Sequence, residues 1–272
     1  MTHPLDQIIS EEINKAVDLC KSHQDFCEET VFLSISLVEP DKELLRKGSD
    51  VELSRKLKIR GIDSNSDGGF ESILDITNNQ IISLDRVSND AQVTYSMAEV
   101  FMAQELTKAN KDYQEALEKR GITDLELIQI DPWPAGGIVH ESIEPGHRAF
   151  KTISFLKENK SDNAYAKPIN GIISHVDLTL KKVTCVEDHG VVELPKAHGR
   201  YDADSQSELR DEPKQIDITQ PEGPGYIIEG NLISWEGWEL RASVNPDEGP
   251  VLHQVSLNGR SILHRAALSD MV

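Results

Sequence analysis

Near the N-terminus apolar residues recur at helical spacing: Ile13, Ala16, Val17 and Cys20 fall on one face of the stretch after Ser10. Ser10 reads as the cap of this helix, and Glu11 and Glu12 supply negative charge in its first turn. Cys20 is expected to pack on the apolar face rather than react. The period then changes to two. In TVFLSISLV (30–38), Val31, Leu33, Ile35 and Leu37 alternate with Phe32, Ser34 and Ser36, which predicts a half-buried strand. ESILDIT and QIISLDRV predict two further strands joined by a turn at Asn78-Asn79. A helix followed by antiparallel strands makes a small α+β domain over 1–90.

The same order restarts over 91–200. Ser96 precedes MAEVFMAQELTKA, where Val100, Phe101 and Leu106 form an apolar stripe, and KDYQEALEKRG ends at Gly121, a natural helix stop. Thr123 with Glu126 predicts a capping box for a short helix. Strands are expected over 148–157, 169–179 and 181–190. A charged linker covers 201–215, and from 216 to 272 short runs punctuated by Gly and Pro predict the first strands of a β-sandwich. The fold class is therefore α+β: two small helix-plus-antiparallel-sheet domains followed by a sandwich that has only begun. Trp235 and Trp238, three apart, are expected on opposite faces of one strand.

Charge narrows the function. Lys and Arg total 28 against 47 Asp and Glu, a net charge of −19, which repels a phosphate backbone and argues against nucleic-acid binding. No stretch is apolar enough for a membrane span, and MTHPLDQIISEE lacks the features of a secretory signal. Cys20, Cys27 and Cys185 show no metal or disulfide spacing, so reduced thiols in an intracellular, cytosol-like compartment are expected.

Three clusters look chemical. Asp63, Asn65, Asp67 and Gly68 open like a calcium loop, but Leu74 stands where the loop needs a bidentate carboxylate, so a polar turn is expected. His140, Glu141, Glu144 and His147 fit no zinc spacing and read as a surface loop. Glu187-Asp188-His189 offers two carboxylates and an imidazole, yet no Ser or Cys nucleophile stands in a recognisable elbow nearby. A turn that anchors backbone, with a hydrogen-bonded imidazole, is the expected role. No Gly-rich nucleotide motif is present.

Taken together, HPLDQIISEEI (3–13), DPWPAGG (131–137), DNAYAKPINGIISHVDL (162–178), VEDHGVVELP (186–195), ITQPEGPGY (218–226), SWEGWELR (234–241) and the run from 244 to 272 resemble copper-containing primary-amine oxidases. The resemblance implies two α+β N-terminal domains followed by the start of a β-sandwich catalytic domain, and a structural role for Asp188 and His189. Ala164 and Lys167 stand where the family usually has Gly and His. Gln254 stands where it usually has Asp, and an aromatic usually lies near Ser243.

The family reaction implied is oxidation of a primary amine by O2 to an aldehyde, ammonia and hydrogen peroxide, in a homodimer. It requires copper on three histidines, two of them spaced His-x-His. It also requires topaquinone, made from a tyrosine within Asn-Tyr-(Asp/Glu)-Tyr, and an aspartate base. None of the five tyrosines lies in that motif, and no two of the nine histidines are two apart. The expectation is therefore no catalytic, cofactor-binding or metal residues of the family type, and no copper, topaquinone or turnover in this chain alone. Residues 216–272, with open strand edges, are expected to be protease-sensitive or aggregation-prone in isolation. The alternative is a short non-catalytic paralogue serving as a structural or partner-binding module.

Overall fold

The computed structural model describes residues 3–46, 53–63, 69–88, 91–196 and 199–268. Helices are few and the strands antiparallel, so the fold is α+β. The chain forms two compact units: Met1–Val93 together with Ile216–Val272, and Thr94–Gln215.

In the first unit, helix α1 (Ser10–Lys21) lies on a meander of β1 (Val31–Val38), β2 (Lys56–Ile62), β3 (Phe70–Asp75) and β4 (Gln80–Arg86). A short α2 (Lys42–Arg46) follows β1. Ile9, not Ser10, occupies the cap of α1. The Glu12 carboxylate accepts the Ile9 N–H at 3.1 Å and is itself held by Arg55 Nε at 2.8 Å, so a long-range ion pair shifts the start by one residue. Ala16 and Cys20 pack with Leu57, Ile59, Phe70 and Leu74, and burial pushes the Cys20 thiol up to about 12.

The phase expected for β1 changes partway along. A bulge between Phe32 and Ser34 turns Phe32 towards the core alongside Ile35 and Leu37, and leaves Val31 exposed. Strand β2 was not anticipated. Its apolar residues are only Leu57, Ile59 and Ile62, among Lys56, Lys58, Arg60 and Gly61.

Gly61 pairs with Phe70 across the ladder, and a Cβ there would lie 2.4 Å from the Val31 carbonyl oxygen and 2.7 Å from Phe70 Cζ. Backbone cannot yield to that contact. Gly61→Ala is expected to cost about 2 kcal/mol, read as a lower urea midpoint for the full chain; an unchanged midpoint would refute the close packing.

The rest of this unit is a five-stranded meander of β9 (Tyr226–Glu229), β10 (Leu232–Trp235), β11 (Trp238–Asn245), β12 (Gly249–Leu257) and β13 (Arg260–Ala267). Trp235 and Trp238 do not share a strand. Glu236 and Gly237, with φ of 48° and 80°, make a two-residue hairpin turn that sets the two indoles opposite each other across β10 and β11.

Polar contacts tie this sheet to the first 93 residues: Arg241 to Asp6 at 2.5 Å, Gln7 Oε1 to the Val244 N–H at 2.6 Å, and Arg265 to Glu39 at 2.9 Å. Val251, His253 and Val255 of β12 are buried, whereas β9 is exposed throughout. Ser243 Oγ hydrogen-bonds His253 Nε2 at 3.0 Å. Gln254 has a φ of 49°, a left-handed conformation that Asn and Asp adopt at lower cost.

In the second unit, α3 (Met97–Ala109) and α4 (Lys111–Glu118) cover a sheet of order β5 (Ile128–Pro134), β6 (Ala149–Leu156), β7 (Ile172–Asp177) and β8 (Lys182–Asp188). Ser96 caps α3, its Oγ accepting the Glu99 N–H at 3.2 Å. Phe101 leaves the expected stripe for solvent, and Ala103 and Thr107 take the buried positions. The short helix after Gly121 is a single turn of 3-10 helix capped by Asp124 rather than Thr123. β5, which holds Pro132 and Pro134, is not among the expected strands. It lies at the sheet edge, where a missing N–H is tolerated. The helix-facing positions of β6 are polar in part: Tyr113 Oη meets Ser154 Oγ at 2.7 Å, and burial pushes the tyrosine up to about 12.

Candidate functional site

Strand alternation splits the Glu187-Asp188-His189 triplet. Val186 and Asp188 turn towards the helices, where Arg120 Nη2 and Lys119 Nζ donate to Asp188 at 2.8 and 3.1 Å. These bonds hold the Asp188 carboxyl well below the usual range. Arg120 also donates to the carbonyls of Ala116 and Gly190, and Gly190 N–H donates to Asp188 at 3.2 Å. Asp188 thus fastens the end of β8 to the C-terminal end of α4, the anchoring role expected of it.

Glu187 and His189 project from the opposite face. There Glu187 Oε1 meets His175 Nε2 at 2.5 Å, and Oε2 meets His189 Nε2 at 2.7 Å. Hydrogen bonds from both imidazoles lower the Glu187 pKa. Alternation along β7 faces His175 away from the helices and Val176 into the core, and a bulge at Thr184 of β8, opposite the His175–Val176 step, lets both Val183 and Val186 face the helices. Cys185 lies directly opposite His175 in the ladder, and burial, then the charges of Glu187 and Glu141, raise its thiol.

The loop read as HESIEPGH divides its two histidines. His147 Nδ1 pairs with the buried Asp177 at 2.7 Å. His140 stacks on His175 with ring centroids 4.2 Å apart, and its Nδ1 meets Ser142 Oγ at 2.8 Å. Ser142 Oγ continues to Thr184 Oγ1 at 2.8 Å, which ties the loop to β8. Burial lowers the His175 pKa; the Glu187 hydrogen bond opposes this, and His140 adds to it. Glu141 and Glu144 are exposed.

His140, His175 and Glu187 each offer one ligand atom, all within 4.8 Å of one another, the one such cluster among the described residues. Sequence reading missed it because its members come from three separate segments. Of the calcium-like loop, Asp63 pairs with Arg86 at 2.5 Å; Asn65, Asp67 and Gly68 lie outside the described residues.

A family copper–quinone centre does not fit these side chains. The clustered donors are two imidazoles and a carboxylate, not three imidazoles. Tyr113 is locked against Ser154, Tyr95 lies against Phe150 with its hydroxyl on the Ala149 carbonyl, and Tyr165 packs on Phe155. Tyr201 and Tyr226 are exposed. No helix among the described residues is long and apolar enough to cross a membrane.

Comparison with known proteins gives three matches in chain order: the copper amine oxidase N2 domain over residues 3–60, the N3 domain over 98–206 and the enzyme domain over 227–272. The chain is 31% identical to a primary amine oxidase of Arthrobacter sp. (strain P1), over 100% of its own length and 42% of the relative's. It is 30% identical to a histamine oxidase of Arthrobacter globiformis, over 99% of its length and 40% of the relative's. A copper-containing benzylamine oxidase from Hansenula polymorpha has the same fold, with a TM-score of 0.81 and 20% identity over 98% of this chain and 44% of that one. The chain thus spans about two fifths of the length of these relatives. With N2, N3 and enzyme-domain matches following one another along its length, the chain belongs to the copper amine oxidase family.

Proposed function

We propose that this polypeptide is the supporting N-terminal portion of a copper- and topaquinone-dependent primary-amine oxidase and does not oxidise amines by itself. The observation that carries the reading is that the enzyme-domain match is confined to 227–272, a stretch that contains no tyrosine and whose two histidines, His253 and His264, are not spaced His-x-His. In this reading the N2- and N3-like domains surround a catalytic domain in a homodimer, and the amine and O2 meet at residues outside this sequence. Exposed Tyr226, Ile227, Ile228 and Trp235 support it, since apolar side chains on an incomplete sandwich await a covering layer. Two relatives named as peroxisomal, from Nicotiana tabacum, favour an intracellular setting.

Sequencing the transcript through its 3′ end tests the assignment. A frame running past Val272 into a His-x-His pair and a quinone tyrosine supports it; a stop codon there, with stable protein in the cell, favours the non-catalytic paralogue.

The expected protease sensitivity is narrowed by the packing. Residues 206–225 are almost wholly exposed and lack regular structure, whereas β11 to β13 are tied to the first 93 residues. Limited proteolysis should cut first within 206–225 and spare β12; early cleavage inside β12 would contradict the anchoring seen here.

A further inference from the structure

We propose that His140, His175 and Glu187 form a binding site for one borderline divalent cation of the zinc class. The convergence of three ligand atoms within 4.8 Å, from a loop and two strands, is the main observation. Two imidazoles and one carboxylate form a recurrent zinc donor set, and three protein ligands leave a position for water. Calcium or magnesium would instead call for mostly oxygen ligands.

The surroundings orient these donors. Ser142 lies against His140 Nδ1 through its hydroxyl, at 2.8 Å, and its backbone N–H, at 3.1 Å; for Nε2 to bind the ion, Nδ1 must carry the ring proton and donate it to the Ser142 hydroxyl, giving up the backbone contact. Glu187 is held from its other oxygen by His189. Such outer contacts fix ring orientation and carboxylate direction in metal sites. The ion takes the place of the proton shared by His175 Nε2 and Glu187 Oε1, now 2.5 Å apart. Tetrahedral ligand bonds of zinc length require that gap to open by about 0.8 Å. Access comes from the Glu187 side, where the side chain is 29% exposed, whereas that of His175 is only 5% exposed. A net charge of −19 raises the local concentration of cations.

The alternative is a hydrogen-bonded cluster that holds its protons and no ion. The test is zinc sulfate alone, titrated into the chelator-stripped 272-residue chain and followed by calorimetry and by metal analysis after gel filtration. One retained zinc per chain is expected, with His140→Gln and Glu187→Gln each weakening binding about tenfold or more. His23→Gln, at a half-exposed position of the first unit, should leave binding unchanged. Cobalt substituted for zinc should give ligand-field bands that the two site variants lose. Absence of retained zinc in the folded wild-type chain overturns the proposal, as does full-affinity binding in both site variants. The wild-type stoichiometry decides even if a variant fails to fold.

Discussion

Incubated with copper and oxygen, the purified chain should release no hydrogen peroxide from any primary amine above a copper-only blank. It should also yield no hydrazine-reactive chromophore. Quinone biogenesis needs a tyrosine beside a copper ion held by three imidazoles. Here Tyr113 is buried against Ser154, Tyr95 is packed on Phe150, and Tyr165 on Phe155. The exposed Tyr201 and Tyr226 are set in sequences without the quinone motif. Retained copper is not the readout, because a site of two imidazoles and a carboxylate binds copper at least as well as zinc. The informative measurement is peroxide production together with a peptide map of the tyrosines. A carbonyl-reactive tyrosine derivative in that map would sink the proposed function.

The second large effect is expected at Glu99 and Arg148. Their side chains are only 13% and 7% exposed, and Arg148 Nε and Nη2 donate to the two Glu99 oxygens at 2.6 and 3.0 Å. Arg148 also donates to the Thr94 carbonyl at 3.0 Å and lies over the Tyr95 ring at 4.3 Å. Glu99 in turn accepts the Ser96 N–H at 2.7 Å, completing the cap of α3. Removing one partner leaves a buried charge behind, so Glu99→Ala should destabilise the unit by about 3 kcal/mol or more.

Protonation acts in the same direction. Burial alone would raise the Glu99 carboxyl, but hydrogen bonds from Arg148 and Ser96 outweigh it and bring the pKa below its ordinary 4.5. A carboxylate depressed on folding stabilises above its unfolded pKa, and that contribution is lost as pH falls through the folded value. The wild type should therefore weaken progressively below about pH 4.5, with Glu99→Gln showing a shallower decline. Urea titrations followed by circular dichroism at several pH values measure both, and parallel declines would show that Glu99 is not responsible.

Local pattern predicted the elements whose core face is apolar and whose ends carry their own signals. The helix start after Ser96, the stop at Gly121 and the turn at Asn78-Asn79 are short-range matters, settled by backbone donors within a few residues. Elements whose logic lies across the sheet were harder to read. β5 contains two prolines that only an edge position tolerates, and β2 is alternately basic and apolar around a glycine that accommodates Phe70. The bulge in β1 could not be inferred from an unbroken alternation, since ladder register depends on the neighbouring strand. Trp235 and Trp238 have the spacing of one strand, but the Glu236-Gly237 turn, signalled by its glycine, separates them into two.

By itself the sequence determined the α+β class, the order of domains, the family, and the absence from this polypeptide of a quinone motif and a His-x-His pair. Those properties depend on residue types and their spacing along the chain. Tertiary structure alone decided that Asp188 faces the helices while Glu187 turns away to join His175, and that a distant loop brings His140 onto the same face. Side chains that share a site are chosen by strand register and loop closure. Both are settled only when the hydrophobic faces pack, so no spacing along the chain could reveal them.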